Sequence, residues 1–498
     1  MRKVLNAFLP LYVTTLLMLL GSGLLTTYVS LRLAHEQVSG TLIGAIIAAN
    51  YVGLVVGGKV GHNLIARVGH IRAYVACAGI ITASVIGHGL TNFIPLWIFL
   101  RLIIGLCMMC QYMVLESWLN DQAESSQRGV IFGLYMVATY LGLSGGQVIL
   151  ATQTGFGIST LLIVALCFAL CLVPIALTTR TNAKAMSPAP MELGYFVRTI
   201  PKLLATTLVS GMAIGAFYGL APVFASEKGF TTEQTGMFMS LTIFAGLVSQ
   251  FPLSWLSDRF DRQRLLFIIA LLYAIFALVP GVLLSLPYQF LLGVAFAVSM
   301  MQFSLYPLQV ALANDQVMPE RRVSLTACLL MAFGIGASIG PLMVGAVMQP
   351  LGSNMLYIFF AVCAVVIALL NRPVKLHPVP TTEVPLPHVV MPDSLATSPI
   401  GAALNPVLEE EDIQAAMVNT DEEAELSEEQ EEQEEQEALQ EQTGASPATG
   451  EEAEPGEPGN QDETAQGDGA AKNNDAAKTS GGVPDNTEKP GTGTAKPE

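Results

Sequence analysis

Long apolar runs govern what this chain can fold into. AFLPLYVTTLLMLLGSGLLTTYVSL (7–31) and GISTLLIVALCFALCLVPIAL (157–177) each exceed the roughly 20 apolar residues a helix needs to cross about 30 Å of hydrocarbon. Reading such runs against polar breaks gives twelve: about 7–31, 40–60, 72–91, 95–118, 129–152, 157–178, 203–225, 236–257, 264–286, 288–313, 323–348 and 353–371. Lipid offers no hydrogen bonds, so each backbone amide must be satisfied within its own segment, and runs of this length do that as helices. The fold class expected is an all-α integral membrane protein with twelve transmembrane helices and a disordered acidic C-terminal tail. Met1, Arg2 and Lys3 before the first run resemble the start of a secretion signal, but no small-residue cleavage site follows. The first run is read as a retained span.

Charge divides the chain where hydropathy does. The first 371 residues carry 18 basic and 11 acidic side chains, whereas the last 127 carry 6 and 29, so the formal charge of −16 belongs to the tail. In the body, fifteen basic residues, among them Arg67, Arg128, Arg259 and Arg322, fall on the side of the N-terminus, and two, Arg32 and Lys228, on the other. Arg101 lies inside a span. That bias is expected to put both termini in the cytoplasm, and the membrane expected is a bacterial inner membrane. All seven cysteines fall within spans, and Cys107 and Cys110 read as packing residues, so no metal, cofactor or disulfide is expected.

The body repeats itself. Tyr112 and Tyr306, Asn120 and Asn314, Asp121 and Asp315, Gln122 and Gln316, Arg128 and Arg322, Gly142 and Gly336, and Gly146 and Gly340 are identical pairs, each 194 positions apart. Seven identities at one spacing indicate two parallel six-helix repeats. The expected domains are a first bundle (1–178), a cytoplasmic linker (179–202), a second bundle (203–371) and the acidic tail (372–498).

With these features the chain resembles the major facilitator superfamily. SWLSDRFDRQR (254–264) is similar to the family's G-x-x-x-D-R-x-G-R-R loop motif at Asp258 and Arg259, with Ser254 and Asp261 where the glycines would stand. HNLIARVGHIR (62–72) keeps Arg67 and Gly69 but has Ala66 at the acidic position. Arg101 and Gly105 match an R-x-x-x-G pattern, and Gly336, Gly340, Pro341 and Gly345 resemble a family glycine motif. ESWL (116–119), FYGLAPVF (217–224) and FSLYP (303–307) look like the YcaD-like branch. The resemblance implies a transporter whose central cavity is walled by spans 1, 4, 7 and 10.

Polar groups on those spans are the site candidates. Arg101 is either a cation snorkelling to the outer surface or one facing the cavity, where it attracts an anion or tunes a carboxyl. Glu116 is either a proton acceptor or half of a salt bridge to Arg128 or Arg72. Tyr28, Gln111, Tyr112, Tyr218, Gln302 and Tyr306 complete the expected wall, with Asn50 and Gln147 behind. Asp121, Arg128, Asp315, Arg322, Asp258, Arg259 and Arg67 are expected to act as a cytoplasmic latch, and Gly142, Gly146, Gly336, Gly340 and Pro341 as close-packing positions.

The expected function is secondary active transport of a small solute, coupled to H⁺, with export favoured. No G-x-x-x-x-G-K-[ST] loop is present, and neither an enzyme nor a nucleic-acid partner is indicated. The competing reading is a membrane receptor or scaffold signalling through its tail. Residues 378–498 have few apolar side chains and high charge, which reads as a solvated spacer or as a docking segment for a cytoplasmic partner.

Overall fold

The computed structural model describes residues 2–122, 128–153, 155–176, 193–283, 285–318 and 321–373. The tail, most of the linker and the side chains of Asp121 and Arg128 lie outside the described residues. In chain order the helices are α1 (Arg2–His35), α2 (Gly40–Val68), α3 (His70–Leu90), α4 (Ile94–Gln122), α5 (Arg128–Ala151), α6 (Ile158–Leu170), α7 (Leu172–Ala176), α8 (Leu193–Thr199), α9 (Pro201–Glu227), α10 (Thr232–Arg259), α11 (Arg262–Val282), α12 (Tyr288–Asn314), α13 (Arg322–Leu351) and α14 (Met355–Leu370). Among the described residues eleven spans are long and apolar enough to cross a membrane, with α6 and α7 together making one, and α14 is a shorter apolar helix.

Two details differ from the sequence expectation. The sixth span is divided at Cys171, because Pro174 has no N–H to donate to the carbonyl of Leu170. The freed region is held from the side: Thr14 donates to the Cys171 carbonyl at 3.4 Å, and the Tyr74 hydroxyl meets the Cys171 sulfur at 3.3 Å. The stretch expected to be a polar linker also contains a helix, α8, whose Phe196 is buried while Tyr195 is exposed beneath the guanidinium of Arg321, 4.2 Å from its ring centre.

Local chemistry sets the ends. Thr231 and Gln234 form a reciprocal capping box at the start of α10, and the Asp261 carboxylate accepts from the Arg264 amide at 2.7 Å to open α11. Gly69 turns α2 into α3 at φ +85°, a conformation that favours a residue without Cβ.

The packing of the first group recurs in the second. α1 packs on α5 and α6, α2 on α4, and α3 on α4 and α6; likewise α9 packs on α13 and α14, α10 on α12, and α11 on α12 and α14. Matching contacts hold the pairs. A Cβ on Gly142 or Gly146 of α5 would meet the carbonyls of Leu16 and Leu20 of α1, and one on Gly336 or Gly340 of α13 would collide with those of Leu208 and Met212 of α9. Without a hydrophobic drive between helices in lipid, such close backbone approach is a main source of association. Similar glycines, Gly53 and Gly57 on α2, press against the carbonyls of Leu102 and Leu106 on α4.

The bundle has a proximal end, where the chain enters, and a distal end, at the α1–α2 turn. Contacts between the two groups begin at the distal end. Gly40 and Gly44 of α2 abut Gly345 and Pro341 of α13, and Gly236 of α10 abuts the backbone of Gln147 and Ala151 of α5. Deeper in, the Ser144 hydroxyl donates to the Ser240 carbonyl at 2.7 Å, and the Gln250 amide donates to the Tyr140 hydroxyl at 3.3 Å.

Candidate functional site

A pocket whose empty space, open solvent included, is about 550 Å³ lies between these contacts and the core of the first group. α1 supplies Ser22, Gly23 and Thr26; α2 supplies Ile47, Asn50, Tyr51 and Leu54; α4 supplies Arg101, Met108 and Tyr112; α5 supplies Leu143; and α9 supplies Tyr218. At about 1.5 Å rise per residue, Arg101 sits about 10 Å, Asn50 about 15 Å and Tyr112 about 27 Å from the distal ends of their helices, so the pocket spans mid-depth.

The α2–α4 contact explains why Asn50 and Arg101 line the same pocket. Gly105 has no side chain, and a Cβ at that position would collide with the Asn50 carbonyl. The two backbones therefore close up one turn beyond Arg101. On the opposite wall, Tyr218 is backed by an aromatic cluster: Phe217 at 5.2 Å and Phe303 at 6.1 Å between ring centres, with Tyr140 of α5 edge-on to Phe303 at 6.1 Å. Pro222, four residues after Tyr218, deprives the Tyr218 carbonyl of its intrahelical donor.

Arg101 is 1% exposed. Its guanidinium reaches across to α1 rather than along α4 to the distal surface, donating to the Leu25 carbonyl at 3.0 Å and the Thr26 hydroxyl at 3.4 Å. Its Nε has no partner, and neither does Oδ1 of Asn50. Among the described residues no carboxylate pairs with Arg101. His88, which the sequence reading passed over at the end of its span, is buried within electrostatic reach of Arg101. Its Nδ1 lies 2.8 Å from the Ser84 carbonyl, its ring lies tilted against that of Trp97 with centres 5.2 Å apart, and its Nε2 is unpartnered.

The other candidates are placed elsewhere. Tyr28 ties α1 to the α5–α6 turn, donating to the carbonyls of Phe156 at 2.9 Å and Gly157 at 3.1 Å, and Gln147 lies at the contact with Gly236. Gln111 and Gln302 are buried with both polar ends unpartnered. Tyr306 packs its ring 4.7 Å from that of Phe333. Glu116 is completely buried, with the Tyr135 side chain in hydrogen-bonding range and Tyr112 one turn earlier on α4.

Towards the proximal end, Asp315 pairs with Arg262 at 2.5 Å, a contact inside the second group. Burial pushes the Asp315 carboxyl above its ordinary pKa, against the opposing pull of Arg262. Arg259 stacks over Trp255 at 4.3 Å, Asp258 and Arg67 are exposed, and Arg322 is buried with its Nε unpartnered. Among the described residues no group of three or more His, Cys, Asp or Glu side chains is arranged to hold a metal.

Comparison with known proteins gives one answer. The sequence model of the Major Facilitator Superfamily matches residues 11–278 and 203–408. An uncharacterized MFS-type transporter, Ent638_1421 of Enterobacter sp. (strain 638), is 28% identical over 377 residues, covering 74% of this chain and 96% of its own. The uncharacterized MFS-type transporter YcaD of Escherichia fergusonii is 26% identical over 348 residues, covering 70% and 90%. Among solved structures, the nucleoside transporter NupG superposes with a TM-score of 0.63 at 17% identity, over 74% of this chain and 98% of that one, a likeness of fold. On the family match, with the recurring helix pairs to explain it, the chain belongs to the major facilitator superfamily.

Proposed function

We propose that this protein is a secondary active transporter that carries a small solute across a bacterial inner membrane by alternating access, with H⁺ as the coupling ion and export as the direction. The observation that carries the reading is the pocket itself. It lies at mid-depth, where the two groups of helices meet, and it is walled by residues of both. The named contacts between the groups run from the distal end to mid-depth, which suits a state closed distally. In this reading the proximal end is cytoplasmic, since the basic loops gather there.

Coupling falls to Glu116. Its carboxyl is sealed inside the first bundle with the Tyr135 side chain in hydrogen-bonding range, and water reaches it only when the helices around it part, which makes it the candidate for taking up and releasing the coupling proton. Export is favoured by a wall of three tyrosines, Met108 and the aliphatic Ile47, Leu54 and Leu143, which suits a partly lipophilic solute. The test is flux in proteoliposomes across a panel of metabolites and drugs, with and without a pH gradient. Accumulation that collapses when the gradient is dissipated is the expected result. Absence of gradient-driven flux across the panel would overturn the reading in favour of a ligand-binding receptor.

A further inference from the structure

We propose that the mid-depth pocket takes a small organic monoanion, a carboxylate on an apolar or aromatic body, with the carboxylate held by Arg101 and the neighbouring polar wall. The proposal builds on the reading of the pocket as the transport site.

Charge is the first argument. Among the described residues Arg101 is the one charged side chain lining the pocket, it is 1% exposed, and its described partners are a carbonyl and a hydroxyl, both neutral. A buried cation without an opposing charge is among the most expensive arrangements a membrane bundle can hold, and replacing it with an apolar residue would cost less. The charge is therefore kept for something the protein alone does not supply. One guanidinium compensates one negative charge, which sets the solute as a monoanion.

Geometry is the second. Arg101 already spends donors on Leu25 and Thr26, so its orientation is fixed before a ligand arrives, and its Nε remains unused. A guanidinium fixed in this way presents a planar fork suited to a carboxylate. Near it, Asn50 has an unpartnered Oδ1 that can accept from a hydroxyl or N–H on the same solute. Elsewhere on the wall, Ile47, Leu54, Met108 and Leu143 offer apolar contact beside the rings of Tyr51, Tyr112 and Tyr218. A solute with one carboxylate and an apolar body satisfies both parts.

The experiment compares matched pairs on the purified full-length protein in nanodiscs: benzoate against benzamide, 2-naphthoate against 2-naphthamide, and cyclohexanecarboxylate against its amide, at constant ionic strength, with thermal stability as readout. Sodium chloride and sodium formate form a separate arm that isolates an inorganic or bodiless anion. The expected result is that at least one carboxylate raises the melting temperature by several degrees more than its amide and more than chloride or formate. Arg101→Met should remove that preference, and Arg101→Lys should keep part of it. Because the apolar substitution relieves a buried charge, unliganded Arg101→Met should melt no lower than wild type; a marked drop would assign Arg101 a structural role instead. Equal responses within every pair, or a preference that survives in Arg101→Met, would overturn the proposal, and a chloride shift equal to the carboxylate shift would reduce the site to a halide site. Carboxylate preference without flux would retire transport and leave the anion site standing, whereas flux of neutral solutes without that preference would do the reverse.

Discussion

Glu116 and Asp315 show how differently a carboxyl within a helix and one just past the end of its repeat counterpart behave. Glu116 is enclosed, so Glu116→Gln, which keeps the shape of the acid form, should lower pH-gradient-driven flux by at least about tenfold, the equivalent of about 1.4 kcal/mol. Solute exchange without a gradient should persist. Flux that responds to the gradient as wild type does would remove Glu116 from the coupling step. Asp315 is nearly half exposed, so its pair with Arg262 is a surface contact with an expected value of about 0.2–1 kcal/mol. Its folded-state pKa lies above the unfolded one, so the stabilisation it gives is complete below the unfolded value near 3.9 and is lost as pH rises through the folded pKa. Thermal melts from acid to neutral pH should therefore fall slightly more steeply for wild type than for Asp315→Asn, and an opposite difference would mean that Arg262 outweighs burial.

Among helices, the repeat predicts paired effects. Valine at Gly146 or at Gly340 places a branched side chain against the carbonyl of Leu20 or Met212, and each should destabilise by about 1–3 kcal/mol, read as a lower melting temperature in detergent. A large effect at one site and none at the other would break the equivalence of the two helix pairs. The sequence made this level the most legible. Spans show in hydropathy, and the offset of 194 exposes Gly142 with Gly336 and Gly146 with Gly340. It was silent where the signal depends on a face. Gly53 and Gly57 have no glycine counterparts at that offset, yet they bring α2 against α4 and so help build the pocket. Tyr28 and Tyr218 look alike as single polar residues on apolar helices, and only packing separates the one spent on the Phe156 carbonyl from the one lining the pocket. Pro174 was present in the sixth run, but its run was long enough to hide the interruption.

For the whole molecule, the contacts between the groups define a test of movement. In a Ser144→Cys/Ser240→Cys variant the two sulfurs replace hydroxyls 3.4 Å apart, a distance from which oxidation can link α5 to α10. Cross-linking should stop flux and reduction should restore it; undiminished flux in the cross-linked protein would mean that the groups do not separate there. The proposed solute charge adds a direction to this cycle. A monoanion leaving a negative interior gains about 2.3 kcal/mol per 100 mV, so in the proposed cycle export would draw on the membrane potential as well as on the proton. The acidic tail is a separate matter: truncation after Pro378 should leave flux unchanged if the tail is a spacer, and lost flux at normal abundance would give it a working role.

The glycine contacts at the distal end have one more consequence, and it concerns the medium. Gly40 against Gly345 and Gly44 against Pro341 join backbone to backbone, with no formal charge on either surface. Added electrolyte screens charges over about 8–10 Å and has little purchase on such a seam. The proximal loops, with Arg262, Asp315 and their basic neighbours, feel it directly. Ionic strength should therefore change the rate at which one face of the protein opens and leave the other nearly untouched, so that salt alone shifts the time spent facing each side of the membrane.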